Sequence, residues 1–132
     1  MYRLVYISTP KQDISRVEVA SILRAGRKNN VKNGITGLLI QDRRRFLQYL
    51  EGEQTDVEQT FARISNDRRH SAIIPLKSGY IGRRQFPKWE MASKYVDAET
   101  DLLPVVRELV RDCDRDVASE LMSFAEARDR AA

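Results

Sequence analysis

The stretch from residue 34 to residue 52 constrains the fold of this chain most strongly. Two apolar runs flank a charged patch that extends from Asp42 to Arg45. This pattern is typical of a β-hairpin whose strands lie inside a sheet and whose tip is in water. Gln48 lies within the second apolar run, where burying an amide without partners costs about 1–3 kcal/mol. We therefore expect Gln48 to have a partner, either in the protein or in a ligand.

Length and composition indicate one soluble domain. The chain has 132 residues, of which 42% are hydrophobic and 32% charged, which is enough for a single core. No apolar run approaches the roughly 20 residues of a membrane span, and the first residues carry no signal-peptide pattern. These features predict a cytoplasmic protein that makes no membrane contact.

The rare and the charged residues exclude two kinds of site. Cys113 is the only cysteine and His70 the only histidine, so a disulfide within the chain is impossible and a metal site would lack its usual ligands. The net charge of +4 comes from arginines spread among acidic residues, which is more typical of a solvated surface than of a nucleic-acid-binding stripe. His70 itself, beside two arginines, is expected at the surface.

The first strand is predicted over residues 2–8. Alternation along it places Tyr6 on one face with Leu4, while Val5 and Ile7 point to the other face. Both faces are apolar near the middle, which favours a central position in the sheet.

A helix is predicted over about residues 15–28. Ser15 and Glu18 have the spacing of a capping box, and apolar residues recur at helical intervals after them. Asn29 and Asn30 then come at the predicted helix end. Asparagine is common as a helix C-cap, so a capping role and a ligand-binding role are both open.

A second helix is predicted after the hairpin. Thr55 and Glu58 again have capping-box spacing, and Phe61 belongs to an apolar stripe that ends near Asp67. Arg63 lies off that stripe, which favours a position in solvent.

Two further strands complete the predicted sheet. Residues 71–81 contain Pro75, which favours an edge strand. The last strand is expected to start within residues 86–91, with Trp89 and Met91 on one face. Pairs of this kind are usually core packing.

Two amphipathic helices are predicted after residue 99, with a polar break at residues 114–116. The element order β-α-β-β-α-β-β plus two helices predicts a ferredoxin-like α+β sandwich. We expect residues 1–97 to form the main domain and residues 98–132 a helical hairpin. That hairpin, or a second subunit, is expected to cover the apolar sheet face opposite Tyr6.

Five motifs in order resemble the BLUF family, which are flavin-binding blue-light sensors. The resemblance covers roughly the first 95 residues. Its motifs are Leu4-Val5-Tyr6, Asn30 before Gly34-Ile35-Thr36-Gly37, the run from Phe46 to Gly52, Asp67-Arg68-Arg69-His70, and Trp89-Glu90-Met91.

The resemblance implies a flavin bound non-covalently in the groove between the two helices. The resemblance implies FAD. The chain has no glycine-rich phosphate loop, so the adenine half of FAD is expected to be held loosely, and FMN is not excluded. Amides suit the flavin edge because each holds a donor and an acceptor. The residues expected to bind it are Asn29, Asn30, Gln48, Arg63, Asp67, Ile22 and Phe61.

The resemblance also implies a photochemical role for Tyr6 and Gln48. Light drives an electron and a proton from Tyr6 towards the flavin, and the Gln48 amide ends rotated or tautomerised, with flavin absorption shifted to the red. Trp89 and Met91 are expected to relay the signal to the C-terminal helices or to a partner.

Two other functional classes compete with this interpretation. A small ferredoxin-like nucleic-acid-binding module would use the arginine pairs, but the chain lacks the RNP1 aromatic and glycine pattern. A flavin enzyme would need a nucleophile and base near the groove, and none is evident in the sequence. We therefore expect a sensor without enzymatic activity that signals to a separate protein or through its own oligomer.

Overall fold

The computed structural model describes residues 1–11, 15–42, 44–88, 92–97 and 99–131. The strands are β1 (Tyr2–Pro10), β2 (Thr36–Gln41), β3 (Phe46–Gly52), β4 (His70–Tyr80) and β5 (Ala92–Tyr95). The helices are α1 (Arg16–Asn33), α2 (Gln54–Ser65), α3 (Leu103–Leu109) and α4 (Arg115–Ala131). The predicted α+β sandwich with two additional helices is confirmed. None of the described helices is long and apolar enough to cross a membrane.

The five strands form one sheet in the order β4-β1-β3-β2-β5. The pairs β4–β1, β1–β3 and β3–β2 are antiparallel, and β5 runs parallel to β2. β1 is therefore internal, as its two apolar faces predict. β4 lies at the edge, where proline is tolerated, and the β1–β4 register shifts between Val5 and Tyr6, next to the position paired with Pro75.

The predicted hairpin forms between β2 and β3. Asp42 stabilises its tip, because one carboxylate oxygen accepts hydrogen bonds from the backbone N–H groups of Arg44 and Arg45, each at 2.8 Å. The backbone N–H of Asp42 in turn donates to the Arg45 carbonyl. The charged residues of the tip thus close the turn locally.

The first helix is longer than predicted. Its capping box is present, with the Glu18 N–H donating to Ser15 Oγ at 3.1 Å. The predicted end at residue 28 is wrong, since the helix continues to Asn33 and is capped by Gly34 at φ +66°. A left-handed conformation suits glycine, which has no Cβ. Asn29 and Asn30 therefore lie inside the helix and are not its caps.

The second predicted capping box does not form. Glu53 occupies the N-cap position without a side-chain hydrogen bond, and the helix has already begun at Gln54. Thr55 therefore lies inside the first turn. Glu58 instead accepts a hydrogen bond from Gln54 Nε2 at 2.8 Å, which is an i,i+4 pair on the helix surface.

Two predicted boundaries near the C-terminus differ from the structure. The last strand does not start at residues 86–88, which form bends and turns; its described part is Ala92–Tyr95, and Trp89 and Met91 lie outside the described residues. The break between α3 and α4 covers residues 110–114. Asp116 belongs to the first turn of α4, where its charge suits the helix dipole.

The sheet has one apolar core on each face. On the Tyr6 face, β1 and β3 pack against Val57 of α2, and Leu39 and Phe46 pack against α1. On the opposite face, Tyr49 and its apolar neighbours pack against α3 and α4. The residues in that second core are Val5, Leu38, Ile40, Leu47, Tyr49, Phe86, Val96, Leu102, Val106, Val110, Val117, Leu121 and Ala125.

Candidate functional site

A cavity of about 240 Å³ lies between α1, α2 and the sheet. Apolar side chains from α1 and the sheet form its walls, and polar side chains are gathered around them. The lining residues are Val19, Ile22, Leu23, Ala25, Gly26, Asn29, Asn30, Leu39, Phe46, Gln48, Thr60, Arg63, Ile64, Asp67, Arg69 and His70. The cavity lies in the groove between the first two helices, which the sequence analysis predicted.

The structure brings six of the seven predicted binding residues to this cavity. They are Asn29, Asn30, Gln48, Arg63, Asp67 and Ile22. Asn30 is buried, and Arg63 is exposed with its Nη2 donating to Thr60 Oγ1 at 3.4 Å. Phe61 is not among the lining residues. Its ring instead contacts Tyr6 edge-on, with the ring centroids 5.0 Å apart.

Tyr6 and Gln48 are joined directly. They are paired residues on adjacent strands β1 and β3, and the Tyr6 hydroxyl donates a hydrogen bond to Gln48 Oε1. Both side chains are buried. Besides the oxygen that accepts from Tyr6, the Gln48 amide carries two N–H donors. Gln48 also lines the cavity, so it connects Tyr6 to whatever the cavity holds.

Burial determines the protonation state of Tyr6. It raises the pKa of the Tyr6 phenol far above its ordinary value, because the phenolate would be desolvated. Tyr6 is therefore a neutral hydrogen-bond donor over the whole physiological pH range. Gln48, which is never charged, is a suitable acceptor for it.

An ion pair that the sequence did not reveal lies at one side of the cavity. The Arg69 guanidinium binds both carboxylate oxygens of Asp67, with Nε–Oδ1 at 2.9 Å and Nη2–Oδ2 at 2.5 Å. The hydrogen bond from Arg69 lowers the pKa of Asp67 to about 2, against a smaller opposing effect of burial. Arg69 thus brings a fixed positive charge to a cavity where only Arg63 was predicted.

His70 corrects a prediction. It was expected at the surface, but it is half-buried, lines the cavity and packs edge-on against Phe46. Burial lowers the pKa of the imidazole, so the ring is neutral at pH 7. Among the described residues, its Nδ1 has no hydrogen-bond partner.

Three lining residues that were not predicted to bind the ligand have a signal in the sequence. Val19, Leu23 and Gly26 recur with Ile22 at helical spacing, and all four lie on the α1 wall of the cavity. Periodicity identifies the buried face of a helix but not whether side chains or a ligand fill the space beneath it.

A family model described as "Sensors of blue-light using FAD" (BLUF) matches residues 1–92. Among curated relatives, the photoactivated adenylate cyclase subunit beta of Euglena gracilis is 31% identical over 91 residues, which are 68% of this chain. The blue light- and temperature-regulated antirepressor BluF of Escherichia coli is 28% identical over 64% of this chain. The match spans only 11% of the cyclase subunit and 21% of the antirepressor.

Solved structures of similar length share the fold. The dark-state structure of the BLUF protein BlrB has a TM-score of 0.72 and 29% identity, and the alignment covers 96% of each chain. The ground state of BlsA has a TM-score of 0.69 and 33% identity, covering 82% of this chain and 71% of that one. These matches favour a light sensor over the nucleic-acid-binding alternative. The chain belongs to the BLUF family of flavin-binding blue-light sensors.

Proposed function

We propose that this chain holds the flavin ring in the cavity between α1 and α2 and signals through the Tyr6–Gln48 pair. The observation that carries the proposal is the buried hydrogen bond from the Tyr6 hydroxyl to Gln48 Oε1. It joins an oxidisable phenol to an amide that can exchange donor for acceptor by rotating.

The residues around the cavity fit a flavin. Its isoalloxazine ring is flat and largely apolar, with one edge of alternating carbonyls and nitrogens. Apolar walls suit the ring faces, and the amides of Asn29, Asn30 and Gln48 offer donors and acceptors to the edge. Arg69, oriented by Asp67, would supply a positively charged hydrogen-bond donor to the same cavity.

A bound flavin would supply blue-light absorption and an excited-state electron acceptor. Tyr6 is the donor, and its burial keeps the phenol protonated until an electron leaves. Loss of that electron makes the phenol proton acidic, and the existing hydrogen bond directs it to Gln48 Oε1. When electron and proton return, Tyr6 is restored and the Gln48 amide is left rotated or tautomerised.

Absorption spectroscopy tests the proposal directly. Protein purified in the dark should show a flavin spectrum that shifts to the red under blue light and recovers in the dark. Bound flavin without a reversible shift would contradict the role of the Tyr6–Gln48 pair. Colourless protein that takes up no added FAD would contradict flavin binding in this cavity.

We propose FAD as the resident flavin, in line with the family description. A solved relative, BlrP1 of Klebsiella pneumoniae, is described with FMN, so the two must be distinguished by experiment. Heating the purified protein and separating the released cofactor by chromatography identifies it. Recovery of FMN alone would overturn the choice of FAD without affecting the photochemical proposal.

The output is proposed to be protein–protein signalling and not catalysis by this chain. Other BLUF chains occur within photoactivated cyclases and as the shorter chains BlrB and BlsA. We propose that the partner here is a separate protein or a second copy of this chain, with Trp89 and Met91 in the relay. Size-exclusion chromatography of dark and illuminated protein, alone and with cell extract fractions, would detect a light-dependent change in assembly.

Asn30→Ala should weaken flavin binding by about tenfold, the effect of losing one good hydrogen bond. Asn30 lines the cavity from inside α1, where alanine is a favourable residue, so the fold should remain. Titration of the flavin-free protein with FAD measures the change. Asn33→Ala is the matched control, since Asn33 is in the same helix but does not line the cavity, and it should bind like the parent. Equal affinities in the two variants would contradict the role of Asn30.

Gln48→Leu should retain the flavin and lose the red shift, because leucine fills a similar volume but has no donor or acceptor to rearrange. Difference spectra before and after illumination check this. Gln59→Leu, at an exposed position on α2, is the control, and its flavin absorption should show the same red shift as the parent protein. A normal shift in Gln48→Leu would mean that another group rearranges.

A further inference from the structure

A buried carboxylate lies on β3 close to Gln48 but on the opposite face of the sheet. Glu51 is fully buried and accepts hydrogen bonds from four groups, since a buried charge is stable only when it is well paired. The donors are the hydroxyls of Tyr49 (3.0 Å) and Thr36 (2.8 Å) and the backbone N–H groups of Gln85 and Phe86 (both 2.8 Å). Glu51 thus fastens residues 82–88, named here the 82–88 loop, to β2 and β3.

Gln85 connects this loop to the turn between α3 and α4. Its side chain is buried and contacts Asp114 twice. Gln85 Oε1 accepts from the Asp114 backbone N–H at 2.6 Å, and Gln85 Nε2 donates to Asp114 Oδ2 at 3.0 Å. One residue therefore contacts Glu51 through its backbone and the α3–α4 turn through its side chain.

Another connection between the loop and the turn is exposed. Arg83 Nη2 donates to the Asp112 carbonyl and to Asp114 Oδ1 at 3.0 and 2.9 Å, but both side chains of this ion pair are about half exposed to solvent. Solvent-exposed ion pairs contribute little to the stability of a fold. Gln85 therefore makes the buried polar link between the loop and the turn.

The long helix α4 is fastened to the sheet elsewhere. Glu120 pairs with the buried Arg3 of β1, and the buried Arg128 binds Asp42 of the hairpin tip at 3.3 Å and the Asp97 carbonyl at 3.0 Å. These two attachments hold the middle and the C-terminal end of α4. The α3–α4 turn, at the N-terminal end of α4, is attached separately, through Gln85.

We propose that Glu51 and Gln85 are positioning residues that couple a rearrangement at Gln48 to the α3–α4 turn, where a partner protein would read it. The path runs from Gln48 to the adjacent Tyr49, whose hydroxyl binds Glu51, and then through Gln85 to Asp114. This inference rests on the proposed photochemistry of Tyr6 and Gln48. The inference predicts that blue light weakens the contacts between Gln85 and Asp114 that hold the α3–α4 turn.

Cys113 offers a reporter in that turn. It is the only cysteine of the chain, it is half-buried, and its Sγ lies 4.0 Å from the Gln85 carbonyl oxygen. Burial raises the pKa of the thiol to about 11, so alkylation by iodoacetamide at pH 8 should be slow while the turn is closed. Mass spectrometry of the intact protein gives the alkylation rate in darkness and under blue light. We expect light to increase it about fivefold, the factor that one lost hydrogen bond produces in an opening equilibrium.

Gln85→Leu separates coupling from photochemistry. Leucine removes both contacts with Asp114 but leaves the backbone N–H that binds Glu51. The variant should keep the red shift, react fast at Cys113 already in the dark and lose the light dependence of that rate. Asp114→Ser keeps the backbone N–H that donates to Gln85 Oε1, but its side chain is too short to accept from Gln85 Nε2. Serine is still suited to a helix N-terminus, so this variant should change the Cys113 rate in the same direction by a smaller factor and serves if Gln85→Leu is unstable. Gln59→Leu is the control and should retain the parent light-to-dark ratio.

The absorption spectrum of the same samples distinguishes the outcomes. A red shift with no change in the Cys113 rate would overturn the coupling alone. Both Gln85→Leu and Asp114→Ser could instead show the red shift and keep the parent ratio of Cys113 alkylation rates in light and darkness. The turn would then respond by another path, and the proposed coupling through Glu51 and Gln85 would be overturned. Absence of the red shift in the parent protein would overturn the proposed photochemistry and the coupling together.

Discussion

Tyr6→Phe is expected to bind flavin as the parent does and to lose the light-induced red shift completely. Phenylalanine keeps the aromatic ring that packs edge-on against Phe61, so the core on this face of the sheet should be preserved. It removes the hydroxyl that donates to Gln48 and with it the redox-active phenol. Light–dark difference spectra at equal flavin occupancy measure the effect.

Tyr49→Phe is the matched control for this change. Tyr49 is as deeply buried as Tyr6 and neighbours Gln48 in β3, but its hydroxyl points to the other face and donates to Glu51. The control should keep the red shift. Loss of the shift in both variants would indicate a general disturbance of the sheet, and a normal shift in Tyr6→Phe would refute the donor role of Tyr6.

Leu121→Ala should lower the free energy of unfolding by about 3 to 5 kcal/mol. Leu121 is fully buried where α4 packs on the sheet, and its truncation leaves a cavity that the surrounding side chains fill only in part. Urea unfolding followed by far-UV circular dichroism, in the dark, measures the loss. The site is remote from the flavin cavity, so the absorption spectrum of the folded variant should be unchanged.

Leu76→Ala provides the comparison for that loss. Leu76 lies on the edge strand β4 and is 44% exposed, so its truncation removes little buried area and should cost less than about 1 kcal/mol. Equal losses in the two variants would mean that the packing of α4 on the sheet contributes no particular stability.

The sequence alone determined the order of elements and the hairpin. Periodicity, the Ser15–Glu18 capping box and the charged tip at residues 42–45 are local signals, and each predicts structure among residues close together in the chain. Gln48 was identified for the same reason, because one polar residue in an apolar run must have a partner. Tyr6 could be associated with it only through the family resemblance.

Tertiary structure decided where elements end and what they enclose. The first helix passes residue 28 because nothing before Gly34 favours a break, which moved Asn29 and Asn30 from a cap into the wall of the cavity. Arg69 and His70 reach that cavity only once β4 is placed beside β1. The contacts of Glu51 with Gln85 and of Gln85 with Asp114 join segments about 30 residues apart. Such contacts leave no periodic pattern in the chain, because their partners are set by the packing of the whole fold.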